Sequence, residues 1–371
     1  MFGLAWAFPF VGKTHGAVQA QYSVKWGAVI VIFLLSGLGL DVKVMLRNIV
    51  RWRLHLTVQL ISFIVLPFFA WGVIRFFIAV HADIDQMVYQ GWIIALSTST
   101  TVSSNSVMTR NAGGNDSAAI VNAALGNILG IFISPALMTL FGDDSVMFPP
   151  GSARGKPDYT SILFQLGLTV LVPLVVGQVI RFVFPEIVKK LAQKLKFSII
   201  NSIALLIMVW SVVCDGVATR AFYSLSGVDI VAILFVDISL YLLACAFCLF
   251  IARLPWPFKR WQEPAWLDKW RFSREDAVAI MYCGATKTVS MGIPLINVLY
   301  SSTSSGVVGV LSLPLLLYHI SQLFIGNFQV PLLKKWIQHG KDEDNMTLQV
   351  SQISEAESLP TFNTRRRTNA E

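Results

Sequence analysis

Stretches of about twenty residues with almost no charge follow one another along this chain, and they constrain its fold more than any other feature. They run at about Ser23–Leu40, His55–Val80, Gln90–Met108, Ser117–Phe141, Ser161–Phe184, Phe197–Val213, Val228–Ile251, Asp276–Leu299 and Val307–Trp336. At 1.5 Å per residue such a stretch, coiled as a helix, matches the hydrocarbon thickness of a bilayer. Lipid offers the backbone no hydrogen bonds, so an apolar segment that crosses it satisfies its own amides by forming a helix. Composition agrees: 55% of the residues are hydrophobic and 13% are charged, about half the charged content of a soluble domain. The pattern predicts an all-α polytopic membrane protein with nine spans. Met1–Val11 is apolar but too short to cross, and it lacks the basic start and cleavage site of a signal peptide. It reads as the second half of a tenth, incomplete first span.

The charges give the orientation. One set of alternate loops holds Lys43, Arg47, Arg51, Arg53, Arg110, Arg181, Lys189, Lys190, Lys194, Lys196, Arg253, Lys259, Arg260, Lys269, Arg271 and Arg274, and the tail adds Lys334, Lys335, Lys341 and Arg365–Arg367. Together these are 22 of the 29 basic residues, whereas the opposite loops hold Lys13, Lys25, Arg154, Lys156 and Arg220. The positive-inside rule then places the first set and the C-terminus in the cytosol. The net charge of +8 therefore reflects loop placement and not a nucleic-acid surface, which would gather its charges on one soluble face. The chain divides into residues 1–141, an extracytosolic loop 142–160, residues 161–336 and a tail 337–371. From about Gln338 the tail mixes charges with Ser and Thr and is expected to be disordered. Asn345-Met-Thr347 is a glycosylation sequon that would face the cytosol unused.

Several chemistries find no motif. There is no P-loop, nucleophile elbow or HExxH sequence, so neither an ATP-driven pump nor an enzyme is expected. Cys214, Cys245, Cys248 and Cys283 all fall in or beside apolar runs. Cys245 and Cys248 have CxxC spacing, but no second pair or His pair completes a zinc site. They read as small residues on one helix face, and no disulfide, metal or cofactor is expected.

Two stretches are too polar for ordinary spans. Nine of the ten residues from Ser97 to Ser106 are polar, among them Ser97, Thr98, Thr100, Thr101, Ser103, Ser104 and Asn105. Hydroxyl side chains can satisfy backbone groups where a helix is interrupted, and interruptions at mid-membrane form solute and ion sites. The second stretch, Cys283–Pro294, carries Thr286, Lys287, Thr288 and Ser290, with Gly284, Gly292 and Pro294 to weaken the helix. A lysine deep in a span costs at least ~2.5–3.5 kcal/mol on insertion, so Lys287 must face protein or water. The two stretches share Thr-Val-Ser at Thr101–Ser103 and Thr288–Ser290, with Thr100 opposite Lys287. Counting the partial first helix, five helices separate them, and an odd offset reverses direction through the membrane, as in an inverted repeat. Lone polar residues in the spans are His55, Gln59, Asn122, Asn127, Asp215, Asp237, His319, Gln322, Asn327 and Gln329. Each reads equally as an interhelical hydrogen bond or as part of a site.

Further motifs carry a resemblance. Ser103-Ser-Asn105, Ala112-Gly-Gly-Asn115, Ser117-Ala-Ala-Ile120, Val172–Gln178, Cys283–Lys287 with Gly292-Ile-Pro294, and Leu313–His319 are similar to the bile acid/sodium symporter family (solute carrier family 10), in particular its member-seven-like branch. The similarity runs from about Tyr22 to Trp336. It implies two inverted five-helix repeats, a panel of helices one, two, six and seven, and a core in which helices four and nine unwind and cross. Family members mostly carry organic anions, and this branch is associated with negative regulation of calcium entry. The resemblance thus implies a carrier for a small solute, expected to be an organic anion, in the plasma membrane or a secretory-pathway membrane. The other readings are a non-transporting regulator that acts on a calcium-entry system through protein contacts, and a sodium-coupled organic-anion symporter. The expected solute and ion residues are Gln59, Ser97, Thr98, Thr100, Thr101, Ser103, Ser104, Asn105, Asn122, Thr286, Lys287, Thr288, Ser290, His319 and Gln322. Ser104, Asn105 and Gln59 correspond to residues of the sodium-coupled members. However, Ala119 and Ala123 stand where that family has hydroxyls, and the crossover carries Lys287 in place of a carboxylate. The expectation is a sodium-independent protein.

Overall fold

The computed structural model describes residues 2–39, 50–148, 159–254, 270–300 and 305–358, and among these every regular element is a helix. Two short helices, α1 (Phe2–Ala7) and α2 (Pro9–Gly12), open the chain. Next come α3 (Ala20–Gly39) and α4 (Trp52–Ala79). Then α5 (Gln86–Leu96) and α6 (Ser103–Asn111) form two halves of one span, followed by α7 (Asp116–Gly142). After these come α8 (Tyr159–Val183), α9 (Pro185–Leu195), α10 (Phe197–Ala218) and α11 (Gly227–Ala252). Another pair of half-helices, α12 (Arg274–Ala285) and α13 (Val289–Leu299), precedes the long α14 (Ser305–Ser358). Eight described stretches are long and apolar enough to cross a bilayer, with α12–α13 counted as one. The ninth span of the sequence reading is the α5–α6 pair, whose halves are each too short to qualify alone.

Three spans widen locally into π-helix, at Ser23–Ala28, Ile61–Val65 and Gly167–Leu171. The last two run directly into Pro67 and Pro173. Proline has no N–H and its ring clashes with the carbonyl four residues back, and a wider turn accommodates both.

One layer is formed by α3, α8 and α10, with α3 packed on both of the others. Two glycines bring α3 and α8 backbone to backbone: a Cβ on Gly37 would lie 2.3 Å from Leu174 O, and one on Gly177 2.5 Å from Leu34 O. Gln178 Nε2 donates to Gly37 O across the contact at 2.6 Å. The outer face of α8, with Val172, Val175, Val176 and Val179 exposed, has the spacing of a lipid-facing helix. The stretch Met1–Val11 does not stand alone here. Gly12 O accepts from Ser211 Oγ at 2.7 Å, and Thr14 binds both oxygens of Asp215 at 2.6 and 2.8 Å, so the segment is fastened to the end of α10.

The second layer holds α4 to α7 and α11 to α14, with α12–α13 at its centre; 94% of that span's most apolar window is buried. Several lone polar residues prove to be helix–helix ties. Asp237 accepts from Trp92 Nε1 at 3.0 Å and Gln329 from Tyr241 at 3.1 Å. All four cysteines are buried and free.

Beyond Trp336, α14 continues without a break to Ser358. Its first polar turns are held by α12: Arg274 Nη1 donates to Trp336 O at 2.7 Å, and Lys341 pairs with Glu275 at 3.1 Å. A helix already nucleated by a span adds each further residue cheaply, which single-residue polarity does not reveal. Residues 359–371 lie outside the described residues, as do Lys43, Arg47, Arg154, Lys156, Lys259, Arg260, Lys269 and Arg365–Arg367 of the charge argument and most of the loop 142–160.

Candidate functional site

Both polar stretches break their helices, and the two breaks lie against each other. Thr288 N–H donates to Ser99 O at 2.8 Å. The hydroxyls of Thr100 and Thr286 share a hydrogen bond of 2.7 Å. Asn105 joins both chains: its Nδ2 donates to Thr100 Oγ1 at 2.7 Å, and its Oδ1 accepts from Thr101 at 3.0 Å and Thr286 at 2.9 Å. The hydroxyls also close the freed helix ends. Thr98 Oγ1 donates to Ala95 O at 2.7 Å, Thr286 Oγ1 lies 2.8 Å from Tyr282 O, and Thr288 caps α13 through Ser290 N–H. Such substitutes are what backbone groups cut from a helical ladder require in a dry interior.

Lys287 is fully buried at this junction. Its Nζ donates to Ser62 O at 2.6 Å, Thr98 O at 3.0 Å and Ser62 Oγ at 3.1 Å, and lies 5.8 Å from the centre of the Phe63 ring. The ammonium thus has three acceptors for three hydrogens. Ser62 O is available for a definite reason. In the π turn the Leu66 N–H bonds to Ile61 O, and the next residue, Pro67, has no N–H to offer. Thr98 O is released in the same way by the break after α5. One lysine therefore occupies carbonyls set free in two different helices.

Gln322 holds the backbone of Lys287 from α14. Its Oε1 accepts from Lys287 N–H at 2.7 Å, and its Nε2 donates to Lys287 O at 2.7 Å and reaches His319 Nδ1 at 2.7 Å. Since Oε1 is an acceptor here, Nε2 is a donor to both. His319 Nδ1 also lies 3.2 Å from Lys287 O, so this ring nitrogen faces both a donor and an acceptor. Tyr318 donates to Ala285 O at 2.7 Å, and Ser134 donates to Ser97 O at 2.7 Å.

A cavity of about 650 Å³ adjoins the crossing. From α3 and α10 it is lined by Ile32, Phe33, Leu35, Phe197 and Leu205 together with the polar Ser36, Ser198, Asn201 and Ser202. The crossing and its neighbours add the polar Thr101, Ser103, Ser104, Thr288, Ser290 and His319 and the apolar Val102, Val107, Met108 and Leu323. Gly39, Arg110 and Phe197, at the ends of their helices, form its rim, and Arg110 is the single charged residue among the described residues that line it. Arg110 Nε lies 3.4 Å from an Asp116 oxygen.

The fifteen expected residues therefore separate into three groups. Six line the cavity. Ser97, Thr98, Thr100, Asn105, Thr286, Lys287 and Gln322 are buried in the crossing behind it. Gln59 and Asn122 meet between α4 and α7, where Gln59 Nε2 donates to Asn122 O at 3.0 Å and His55 bonds Asn122 Oδ1 at 3.0 Å. Of the residues likened to a sodium set, Ser104 bonds Thr101 at the cavity wall, Asn105 has its oxygen occupied by two hydroxyls, and Gln59 donates its Nε2 to Asn122 O while its buried Oε1 has no partner among the described residues. Sequence reasoning missed Ser62, Ser134 and Tyr318. The signal for Ser62 was present: it lies five residues before Pro67, where a widened turn leaves a carbonyl without a donor.

Paired broken helices, a lysine sealed between them and an open polar-and-apolar cavity beside them define a polytopic membrane protein of the carrier type. Residues 1–335 match the SBF-like CPA transporter family, and the chain belongs to it. It is similar to the solute carrier RCH1 of Candida albicans, with 34% identity over 92% of this chain and 87% of that protein. RCH1 of Saccharomyces cerevisiae shares 34% identity over 91% and 82%, and sodium/bile acid cotransporter 7 of Danio rerio 30% over 89% of each.

Proposed function

We propose that this protein is a sodium-independent carrier that moves a small organic anion through the cavity between the α3–α8–α10 layer and the helix crossing. The observation that carries this reading is the Lys287 ammonium on Ser62 O and Thr98 O. Carbonyls released from broken helices are the groups that bind a coupling cation in carriers of this architecture. Here they hold a covalently attached positive charge. A mobile sodium ion brought beside it at about 4 Å would be repelled by about 4 kcal/mol even at an effective dielectric near 20. The cavity supports the solute class: its apolar side chains suit a hydrocarbon body, its hydroxyls offer donors, and Arg110 is the one charged residue among the described lining residues. Alternate exposure would come from the α3–α8–α10 layer and the crossing layer rocking against each other, with the crossing kept rigid by its internal bonds.

By its resemblance to the member-seven-like branch we place the carrier in cellular calcium homeostasis, as a negative regulator of calcium entry, with its C-terminus in the cytosol. The test is purified protein in liposomes, screened with a panel of organic anions while external sodium is exchanged for N-methylglucamine. Saturable uptake that is indifferent to the exchange is expected. Uptake that falls in proportion to sodium overturns the role given to Lys287. No uptake of any anion across the panel overturns the carrier.

A further inference from the structure

Between two spanning helices lies one that cannot span. The eleven residues of α9 (Pro185–Leu195) reach about 16 Å at 1.5 Å per residue, half the hydrocarbon thickness. Only Phe184 separates α9 from the end of α8, and only Lys196 separates it from the start of α10. Pro185 ends the first helix, and Lys196, at φ 50°, turns the chain into the second. Both ends of α9 are thus fixed at one boundary of the apolar layer.

Its faces are sharply divided. Ile187, Leu191 and Leu195 recur at four-residue spacing on one side and are 63%, 43% and 47% exposed. The bare side chains of Phe182, Val183 and Phe184 continue this face at the end of α8. Val188, one residue round the helix, is buried against the protein and fixes the rotation. The exposed Lys190 and Lys194 edge the apolar strip on one side, Lys189 is exposed on the opposite face of the helix, and Lys196 follows. Glu186 is the helix's one acid. Among the described residues none of these four lysines is in an ion pair. An apolar strip edged by unpaired lysines, held at the boundary of a membrane, complements a leaflet of negative headgroups and not open water.

We propose that α9 is an interfacial anchor that docks on an anionic phospholipid leaflet. Ile187, Leu191 and Leu195 enter the acyl-chain boundary, Lys190 and Lys194 beside them bind the headgroup phosphates, and Lys189 on the outer face adds positive charge near the surface. The inference does not depend on transport, but it bears on it. Phe197, Ser198 and Asn201, at the start of α10, line the cavity, so anionic lipid under α9 holds one side of the rim. Each lysine near such a surface gives roughly a fivefold preference for anionic lipid.

The test uses the full chain with Leu191→Cys carrying an NBD fluorophore, in phosphatidylcholine vesicles with phosphatidylglycerol as a quarter of the lipid. The unsubstituted protein, taken through the same labelling, gives the background from its four buried cysteines. Quenching is read with a nitroxide at the fifth acyl carbon of either lipid at equal mole fraction. Quenching by both is expected, at least threefold stronger from the phosphatidylglycerol probe. With Lys189→Gln, Lys190→Gln and Lys194→Gln together, the preference should fall to near one while the depth stays the same. No quenching by either probe means that another protein or a second copy covers the face, and it overturns the proposal. Equal quenching by both lipids in the parent, or a preference that survives the triple change, overturns it as well. Ile187→Cys is a second labelling position on the same strip and must report the same ratio.

Discussion

Lys287→Ala removes the ammonium and leaves Ser62 O and Thr98 O facing an empty space. Three charge-assisted hydrogen bonds at about 1.5–3 kcal/mol each are lost, and the desolvation penalty of the ammonium, several kcal/mol, is recovered. These terms largely offset each other. Ser62 Oγ can turn back to its own helix. The two carbonyls cannot find new donors, because Leu66 N–H is already bonded to Ile61 O, Pro67 has none, and Thr98 lies in the break. Each buried acceptor without a partner costs about 1–3 kcal/mol, so the variant should be destabilised by about 2–6 kcal/mol. The four buried free cysteines permit a direct assay, since a thiol-reactive dye reports their exposure as detergent-purified protein is heated. The variant should melt at least several degrees below the parent. Ethylammonium fits the vacated space and brings three N–H donors, and at a hundredfold above its Kd it should restore about 2.7 kcal/mol. Tetramethylammonium has the same charge and no donor, and should restore nothing. Lys287→Met fills the space with an apolar chain and should respond to neither. If both ammonium ions act alike on Lys287→Ala, or if that variant melts with the parent, the role assigned to the two freed carbonyls is wrong.

Gly177→Ala should separate α3 from α8, because its Cβ would sit 2.5 Å from a backbone oxygen; a loss of about 1–3 kcal/mol is expected, and a melt equal to the parent's would refute the close approach. At Asp144, just beyond α7, partial burial alone would raise the carboxyl, but donors from Trp71, the Val146 and Met147 amides and Arg75 outweigh it and hold the group below the usual range. That stabilisation is complete above the unfolded pKa of about 3.9 and is lost as pH falls through the lower folded value. Asp144→Asn should therefore cost roughly 1–2 kcal/mol at neutral pH and flatten the acid limb of a pH–stability curve, with an unchanged limb counting against it. In sealed cells a membrane-impermeant thiol reagent should label a cysteine placed at Asp143 and spare one placed at Lys335, and the reverse would overturn the orientation read from the basic loops.

Spans were legible because lipid permits so little: a run of twenty apolar residues has one backbone solution, and charge placement then orders the loops. The two breaks were legible as well, since a span has no other use for eight hydroxyls in ten positions or for a lysine at mid-depth. Which of those groups face the cavity was not legible. Thr100 and Thr101 are neighbours of the same chemistry, yet the first is closed inside the crossing and the second lines the cavity. In unwound chain, neither the helical nor the strand period predicts where a side chain points. The continuation of α14 to Ser358 was not legible either, because the sequence shows local polarity and not the helix already running into it. That Lys287 finds Ser62 and Thr98 was decided by the tertiary structure. Ser62 lies 225 positions away along the chain, and its carbonyl is free only because a proline widens α4. Sequence fixes which groups must find partners in a dry interior, but which partners they find depends on how distant helices pack, and only the folded chain decides that.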